Sequence, residues 1–451
     1  MFSAIARIFR TPDLRKKIGF TLAVIAIFRL GSFIPAPYVD FQRVQDCLTP
    51  LSDGSNDTAA GLYALINLFS GGALLKLSIF ALGIMPYITA SIIVQLLRVV
   101  IPHFETLYKE GQSGQARLTQ YTRYLTIALG ILQSTTLITV ARNDQLIPNC
   151  TNMLALPTAD DPAAAAVAQA MGILLMVITM TAGTGLIMWL GELITERGVG
   201  NGMSLLIFTS IAATFPNSLV QIAQVQGPEV LAGVIAIGIA IIAAVIFVEQ
   251  SQRRIPVQYA KRMVGRRTYG GNNTYIPIKV NMAGVVPVIF ASSLLYLPSL
   301  IAQFNQPASG ADPAPWVSWI QAYLTRGDHP LYMAMYFLLI VGFTYFYVAI
   351  TFNPEEVADN MKKYGGFIPG IRAGRPTAEY LDYVLTRVTL PGSLYLGLIA
   401  LLPLIALVLI QANQNFPFGG TSILIMVGVG LETVKQIDSQ LQQRHYEGLL
   451  R

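Results

Sequence analysis

Ten runs of apolar residues govern what this chain can become. They lie at about 18–37, 74–100, 121–141, 165–190, 203–223, 228–249, 281–303, 331–352, 386–411 and 419–438. A helix of about 20 apolar residues crosses a hydrocarbon core ~30 Å thick, and each run reaches that length. Only 12% of the 451 residues are charged and 53% are hydrophobic, whereas a soluble domain carries about 25% charged residues. The chain therefore reads as an all-α polytopic membrane protein. Of its 30 Lys and Arg, 25 fall in 1–17, 98–123, 191–202, 250–280, 353–388 and 435–451. Arg43, Lys76, Arg142 and Arg326 fall in the opposite set of connections, and Arg29 lies within the first run. The positive-inside rule then puts both termini in the cytoplasm, at the cytoplasmic membrane. Residues 1–17 form a basic arm (Arg7, Arg10, Arg15, Lys16, Lys17) leading into the first run without a small-residue cleavage site. An interfacial amphipathic segment is expected there, not a removed signal.

Ten spans divide into two sets of five: 18–223 and 228–438, with 439–451 as a cytoplasmic tail. An odd number per half makes the second half run upside down relative to the first. Such inverted repeats commonly place a transport pathway between the halves. Gly83-Ile84-Met85-Pro86 and Gly284-Val285-Val286-Pro287 stand in the second run of each half. They are either a trace of the repeat or a coincidence in a chain rich in Gly and Pro.

The stretch 61–97 is apolar but cut twice, at Ser70-Gly71-Gly72 and at Gly83 with Pro86. It reads as a short apolar helix, a glycine hinge, and then a full span over roughly 73–100 with a soft point inside it. The short helix cannot cross the membrane. Irregular backbone at membrane depth survives only inside protein or along a cavity, so a cavity with an apolar occupant is expected.

Groups for intramembrane chemistry are scarce. Glu432 is the one acidic residue in the body of a run, near its cytoplasmic end, and His103, His329 and His445 lie in connections. There is no carboxylate or histidine relay, no buried Ser/His pair, no metal-ligand cluster and no phosphate-binding glycine loop. Neither an enzyme nor a cofactor is expected, and energy from nucleotide has to come from a partner. Arg29 either reaches toward the interface or pairs with a neighbour. A pore closed by a hydrophobic constriction fits what remains. Ile84 and Ile88, four apart, share a helix face, which serves such a constriction or ordinary helix packing equally well.

Two cytoplasmic segments stand out. Residues 250–280 carry Arg253, Arg254, Lys261, Arg262, Arg266, Arg267 and Lys279 and no acid. Gly270-Gly271-Asn272-Asn273 is a turn signal, and the flanks RIPVQY and TYIPIKV are suited to pair as a hairpin arm. Their charge serves membrane topology or an anionic partner, either RNA phosphates or an acidic protein surface. Residues 353–385 mix both charge signs with turn residues and read as a second docking loop.

Several long runs carry a resemblance. INLFSGGAL and LSIFALGIMPYITASIIVQLL within 66–97, KEGQSGQARLTQYTRY (109–124), WLGELITERGVGNGMSLLIF (189–208), KVNMAGVVPVIFASSLL (279–295), NPEEVADNMKKYGGFIPGIRAGRPT (353–377) and GGTSILI (419–425) resemble the SecY/Sec61-alpha family, its bacterial SecY group in particular. The resemblance runs through the whole chain in order. It implies an hourglass channel between two inverted five-helix halves, passing unfolded secretory polypeptides across the membrane and releasing transmembrane segments into lipid. The short plug helix falls at about 61–72, with Leu65, Ile66, Asn67, Leu68 and Phe69 in its body and Ser70, Gly71 and Gly72 as its hinge. A pore ring falls on Ile84, Ile88, Ile207, Ile289 and Ile425. A lateral gate lies between the second and third spans and the seventh and eighth, faced by Thr89, Gln133 and Ser293. The docking arms match 250–280 and 353–385, and Arg372 in PGIRAGRP falls on a functionally sensitive arginine. Ala373 replaces a proline common in relatives, which leaves the local turn open. The implied partners are SecE and SecG as membrane subunits, SecA as motor ATPase, a translating ribosome, signal peptides with their nascent chains, and membrane lipid.

The only cysteines, Cys47 and Cys150, fall in two loops on the outer side. There they are either two free thiols or a disulfide tying the first outside loop to the loop between spans three and four. The alternative to a protein channel is an inverted-repeat secondary transporter of a small solute, which requires mid-membrane ion-coordinating groups.

Overall fold

Each of the ten apolar runs coincides with one helix in the computed structural model. The structure describes residues 12–44, 73–74, 76–142, 154–155, 162–259, 262–264, 267–269, 273–304, 314–325, 329–410 and 420–447. The helices of the first half are α1 (Pro12–Gly31), α2 (Met85–Val100) with the short α3 (Pro102–Lys109), α4 (Gln112–Arg142), α5 (Pro162–Arg197) and α6 (Gly202–Gln226). α7 (Pro228–Gln250) opens the second half. Strands β1 (Gln252–Tyr259), β2 (Arg262–Val264), β3 (Arg267–Tyr269) and β4 (Asn273–Lys279) follow it. Then come α8 (Val286–Phe304), the short α9 (Pro315–Ile320), α10 (Pro330–Thr351), α11 (Pro354–Lys363), β5 (Gly366–Phe367), α12 (Arg375–Ile410) and α13 (Gly420–Glu447). Among the described residues, 5 helices are long and apolar enough to cross a membrane unaided, or 6 if the bent pair α2–α3 counts as one. That pair turns through 100° at Pro102. Ile101 adopts extended φ −106°, ψ 114°, as the residue before a proline prefers. The Arg98 guanidinium stacks 3.6 Å from the Tyr108 ring centroid across the bend.

The full span expected over 73–100 is shorter than that. The helix starts only at Met85, and 76–84 forms a series of turns. Gly83 takes φ +57°, outside helical space, and Pro86 sits in the first turn of α2. There its missing N–H costs nothing, so the proline starts this helix and does not soften one. The second half repeats the device: Gly284 takes φ +60° and Pro287 is the second residue of α8. The paired G-x-x-P motifs thus share a backbone conformation as well as letters. The turn segment satisfies its polar backbone within the protein. The Ala36 N–H donates to the Leu77 carbonyl at 2.9 Å and the Ile79 N–H to the Ile34 carbonyl at 3.0 Å. Leu77, Ser78 and Ala81 are 0% exposed, the setting in which irregular backbone at membrane depth is stable.

Helix packing follows the same pattern twice. In the first half α2 packs on α4, α4 on α5, α5 on α6 and α1 on α6; in the second half α8 packs on α10, α10 on α12, α12 on α13 and α7 on α13. The halves meet where α6 packs on α7 and α13, and where α8 packs on α2 and α4.

The segment between α7 and α8 forms the expected hairpin. β1 and β4 pair antiparallel from Gln252↔Lys279 to Gln258↔Asn273. The pairing of β2 with β3, Arg262↔Tyr269 to Val264↔Arg267, continues the same register. Of the Gly-Gly-Asn-Asn signal, Asn273 begins β4, and Gly270, Gly271 and Asn272 lie outside the described residues. β5, from the loop before α12, adds to β1 through Gln258↔Phe367 and Tyr259↔Gly366. One three-stranded sheet, in the order β4-β1-β5, therefore joins the segments 250–280 and 353–385. Ile255, Val257 and Ile278 of the arm are buried against Met361 and Ile368 and against Leu381, Val384 and Leu385 of α12.

Candidate pore constriction, gate seam and docking arms

All five ring isoleucines enter one apolar cluster. Ile84, Ile207 and Ile425 are buried in it, and Ile88 and Ile289 pack half-buried against it. Ile84 caps α2 and Ile88 lies one turn into it, Ile207 is on α6, Ile289 on α8 and Ile425 on α13. These four helices are the second and fifth of each half. Three of the four helices have a local start that positions the isoleucine. The G-x-x-P turns launch α2 and α8, and Asn201 caps α6 by accepting from the Met203 and Ser204 N–H groups at 3.1 and 3.5 Å. Alkyl side chains from both halves thus gather where the halves meet. Such a cluster forms no hydrogen bond with a passing chain and gives water nothing to bind, so a gap within it tends to stay dry.

The seam residues lie on the three helices that meet there. Thr89 on α2 is half-buried and its hydroxyl donates to the Met85 carbonyl at 2.9 Å. Gln133 on α4 is half-buried, and Ser293 on α8 is buried with no partner for its hydroxyl among the described residues. The plug residues Leu65 to Gly72 lie outside the described residues, as do Cys47 and Cys150.

On the arm, Arg253 and Arg254 are exposed, and Arg254 stacks 4.9 Å from the Tyr275 ring centroid. Arg262 and Arg267 hold paired backbone positions, while Lys261 and Arg266 lie outside the described residues. Arg372 is exposed. Its carbonyl accepts from the Thr377 hydroxyl at 2.9 Å, and Gly370 and Gly374 flank it at φ +84° and +107°. Two left-handed glycines and this hydrogen bond hold the turn, so a proline at 373 is not needed. At the foot of α3, the Lys109 ammonium that donates to Glu105 at 2.6 Å holds that carboxyl below the usual carboxylate range.

Some polar residues were invisible as sites in the sequence. Arg123 on α4 makes a two-pronged ion pair with Glu192 on α5, at 2.9 and 2.7 Å. Asn281 donates to Glu249 at 2.6 Å. Glu249 is the penultimate residue of α7 and reads in the sequence as the edge of an apolar run. Arg29, near the end of α1, stands 5.4 Å from the Phe33 ring centroid, with Lys76 over the same ring at 4.3 Å.

The fold is that of the membrane-embedded protein-conducting channels. A solved structure described as "The structure of a protein conducting channel" matches with a TM-score of 0.56 at 17% identity, over 93% of this chain and 91% of that one. A second, described as Sec61 in the canine ribosome-channel complex from the endoplasmic reticulum, matches with a TM-score of 0.53 at 16% identity, over the same shares. The SecY family model matches residues 78–434. "Protein translocase subunit SecY" of Streptomyces galbus is 64% identical over the whole of both chains, and that of Micrococcus luteus is 60% identical, again over the whole of both. The chain belongs to the SecY family and is a multi-pass membrane protein.

Proposed function

We propose that this chain is the pore-forming subunit of a protein translocation channel in the cytoplasmic membrane. In this reading ten spans form two inverted halves, and unfolded secretory polypeptides pass between them. The five isoleucines seal the waist, 61–72 plugs it from outside, and the α2–α4–α8 seam opens sideways to release transmembrane segments into lipid. The observation that carries the reading is the single apolar cluster built by Ile84, Ile88, Ile207, Ile289 and Ile425 from equivalent helices of both halves. Names and descriptions of relatives support it: "Protein translocase subunit SecY" for the sequences, and a plug that keeps the closed channel sealed for a structure matching with a TM-score of 0.57. The exposed Arg253, Arg254, Lys279 and Arg372 supply an anion-seeking cytoplasmic face. A translating ribosome and the SecA motor ATPase are its partners, with SecE and SecG beside it in the membrane. No observation favours the small-solute transporter.

The test is reconstitution of the full chain with its membrane subunits in vesicles, with motor ATPase and ATP outside. Protection of an unfolded, signal-bearing polypeptide from added protease is expected. Uptake of a labelled small solute by the chain alone, with no polypeptide protected, overturns the proposal.

A further inference from the structure

The seam helix α8 is launched from a six-residue linker after β4. Asn281 in this linker is 4% exposed. Its Nδ2 donates to Glu249 Oε1 at 2.6 Å and to the Gly284 carbonyl at 3.2 Å. One amide thus ties the end of α7 to the left-handed residue from which α8 departs. Two backbone contacts hold the linker's near end. The Val280 N–H donates to the Ser251 carbonyl at 3.1 Å, and a Cβ at Gly392 of α12 would stand 2.3 Å from the Val280 oxygen. The far end is different. A Cβ at Gly284 would meet nothing within 4 Å. Its neighbours Ala283 and Val285 are packed into the core, while the left-handed Gly284 itself is held through its carbonyl by the Asn281 side chain.

We infer that Asn281 and Glu249 form a clasp that positions α8 against α2 and α4 and so sets how readily the seam opens. Asn281 is a positioning residue, acting through Gly284 on Ile289 and Ser293 further along α8. The clasp stands two residues beyond the last β1–β4 pair, Gln252↔Lys279. A partner that displaces the arm therefore loads the clasp before it loads α8. Asn281 is pinned by a carboxylate that belongs to another helix, and that link is the part a moving arm can break.

This inference rests on the channel reading above. The test uses the full complex in vesicles with Asn281→Ala, Glu249→Ala and Glu249→Gln, the last keeping an acceptor oxygen for Asn281. The readout is protection of a polypeptide with a weakened signal sequence, divided by protection of the same polypeptide with an intact one. N281A and E249A are expected to raise this ratio about fivefold, the size of a modest coupling between sites, with E249Q near the parent. If N281A does not accumulate, Asn281→Asp keeps the shape, removes the donor and is expected to raise the ratio likewise. An unchanged ratio in the variants, with normal handling of the intact signal, overturns the clasp and leaves the channel reading standing. E249Q as permissive as E249A overturns it too, because charge and not the held amide would then matter. A parent complex that protects no polypeptide overturns the channel reading beneath it.

Discussion

Gly183 shows how much of this molecule hangs on single atoms. A Cβ there would stand 2.2 Å from the Ile79 carbonyl oxygen, so α5 packs on the turn segment 76–84 only because the side chain is a hydrogen. Two residues on, a Cβ at Gly185 would meet nothing within 4 Å. Gly183→Ala is expected to lower stability by about 1–3 kcal/mol, the usual cost of forcing extra atoms into a packed site. It should lower the thermal unfolding midpoint of the purified protein, and Gly185→Ala should not. Equal midpoints for both variants would mean that α5 and the turn segment are not in this contact. The sequence does not separate these two glycines, because both sit in the same apolar helical pattern. Glu249 and Asn281 were equally hidden. Each lies at the margin of an apolar run, where a polar residue is unremarkable until the fold brings the two within hydrogen-bonding distance.

At the scale of elements, the legible features were those written in local pattern. Each of the ten runs holds a helix, and RIPVQY and TYIPIKV pair as expected. The errors came where a single residue decides a boundary. Pro86 looked like a break within a span and is the start of α2. β5 left no trace, since Gly366-Phe367 is too short to show alternation and is a strand only because β1 offers it an open edge. That pairing is testable. In a background with Cys47 and Cys150 replaced by serine, Gln258→Cys with Phe367→Cys should crosslink on mild oxidation, since residues directly opposite in an antiparallel pair bring their Cβ atoms close to disulfide range. Failure to crosslink while the protein stays folded would deny the joint between segments 250–280 and 353–385. The cysteines themselves lead to a second expectation. Val39 and Leu154 form an isolated bridge, and the Ala155 N–H donates to the Tyr38 carbonyl at 2.9 Å. Residues 38–39 and 154–155, in the segments that lead to Cys47 and follow Cys150, are therefore paired. A disulfide between the two cysteines is expected in oxidised protein, seen as a linked peptide pair by mass spectrometry; two alkylatable thiols would rule it out.

For the whole molecule, the deciding fact is that the isoleucine cluster is shared by both halves. α2 and α8 are equivalent helices of the two halves, and so are α6 and α13. In the proposed channel, a ring built from these pairs closes only when both halves are in place, and parting the halves along the α2–α4–α8 seam loosens the ring as it opens the side. Isoleucine suits both demands, because branched alkyl groups repack around a passing chain without offering it a polar contact. Closure then depends on apolar character more than on one shape. Ile207→Asn with Ile425→Asn should let water bridge the waist of the resting channel. Ile207→Leu with Ile425→Leu keeps the apolar seal and should behave like the parent. In vesicles holding the complete resting complex, efflux of a trapped halide is expected to rise roughly tenfold for the asparagine pair, the effect of about 1.4 kcal/mol taken off a permeation barrier. If both variants accumulate normally and neither leaks, Ile207 and Ile425 serve only as packing between the halves, and the seal must lie elsewhere in the chain.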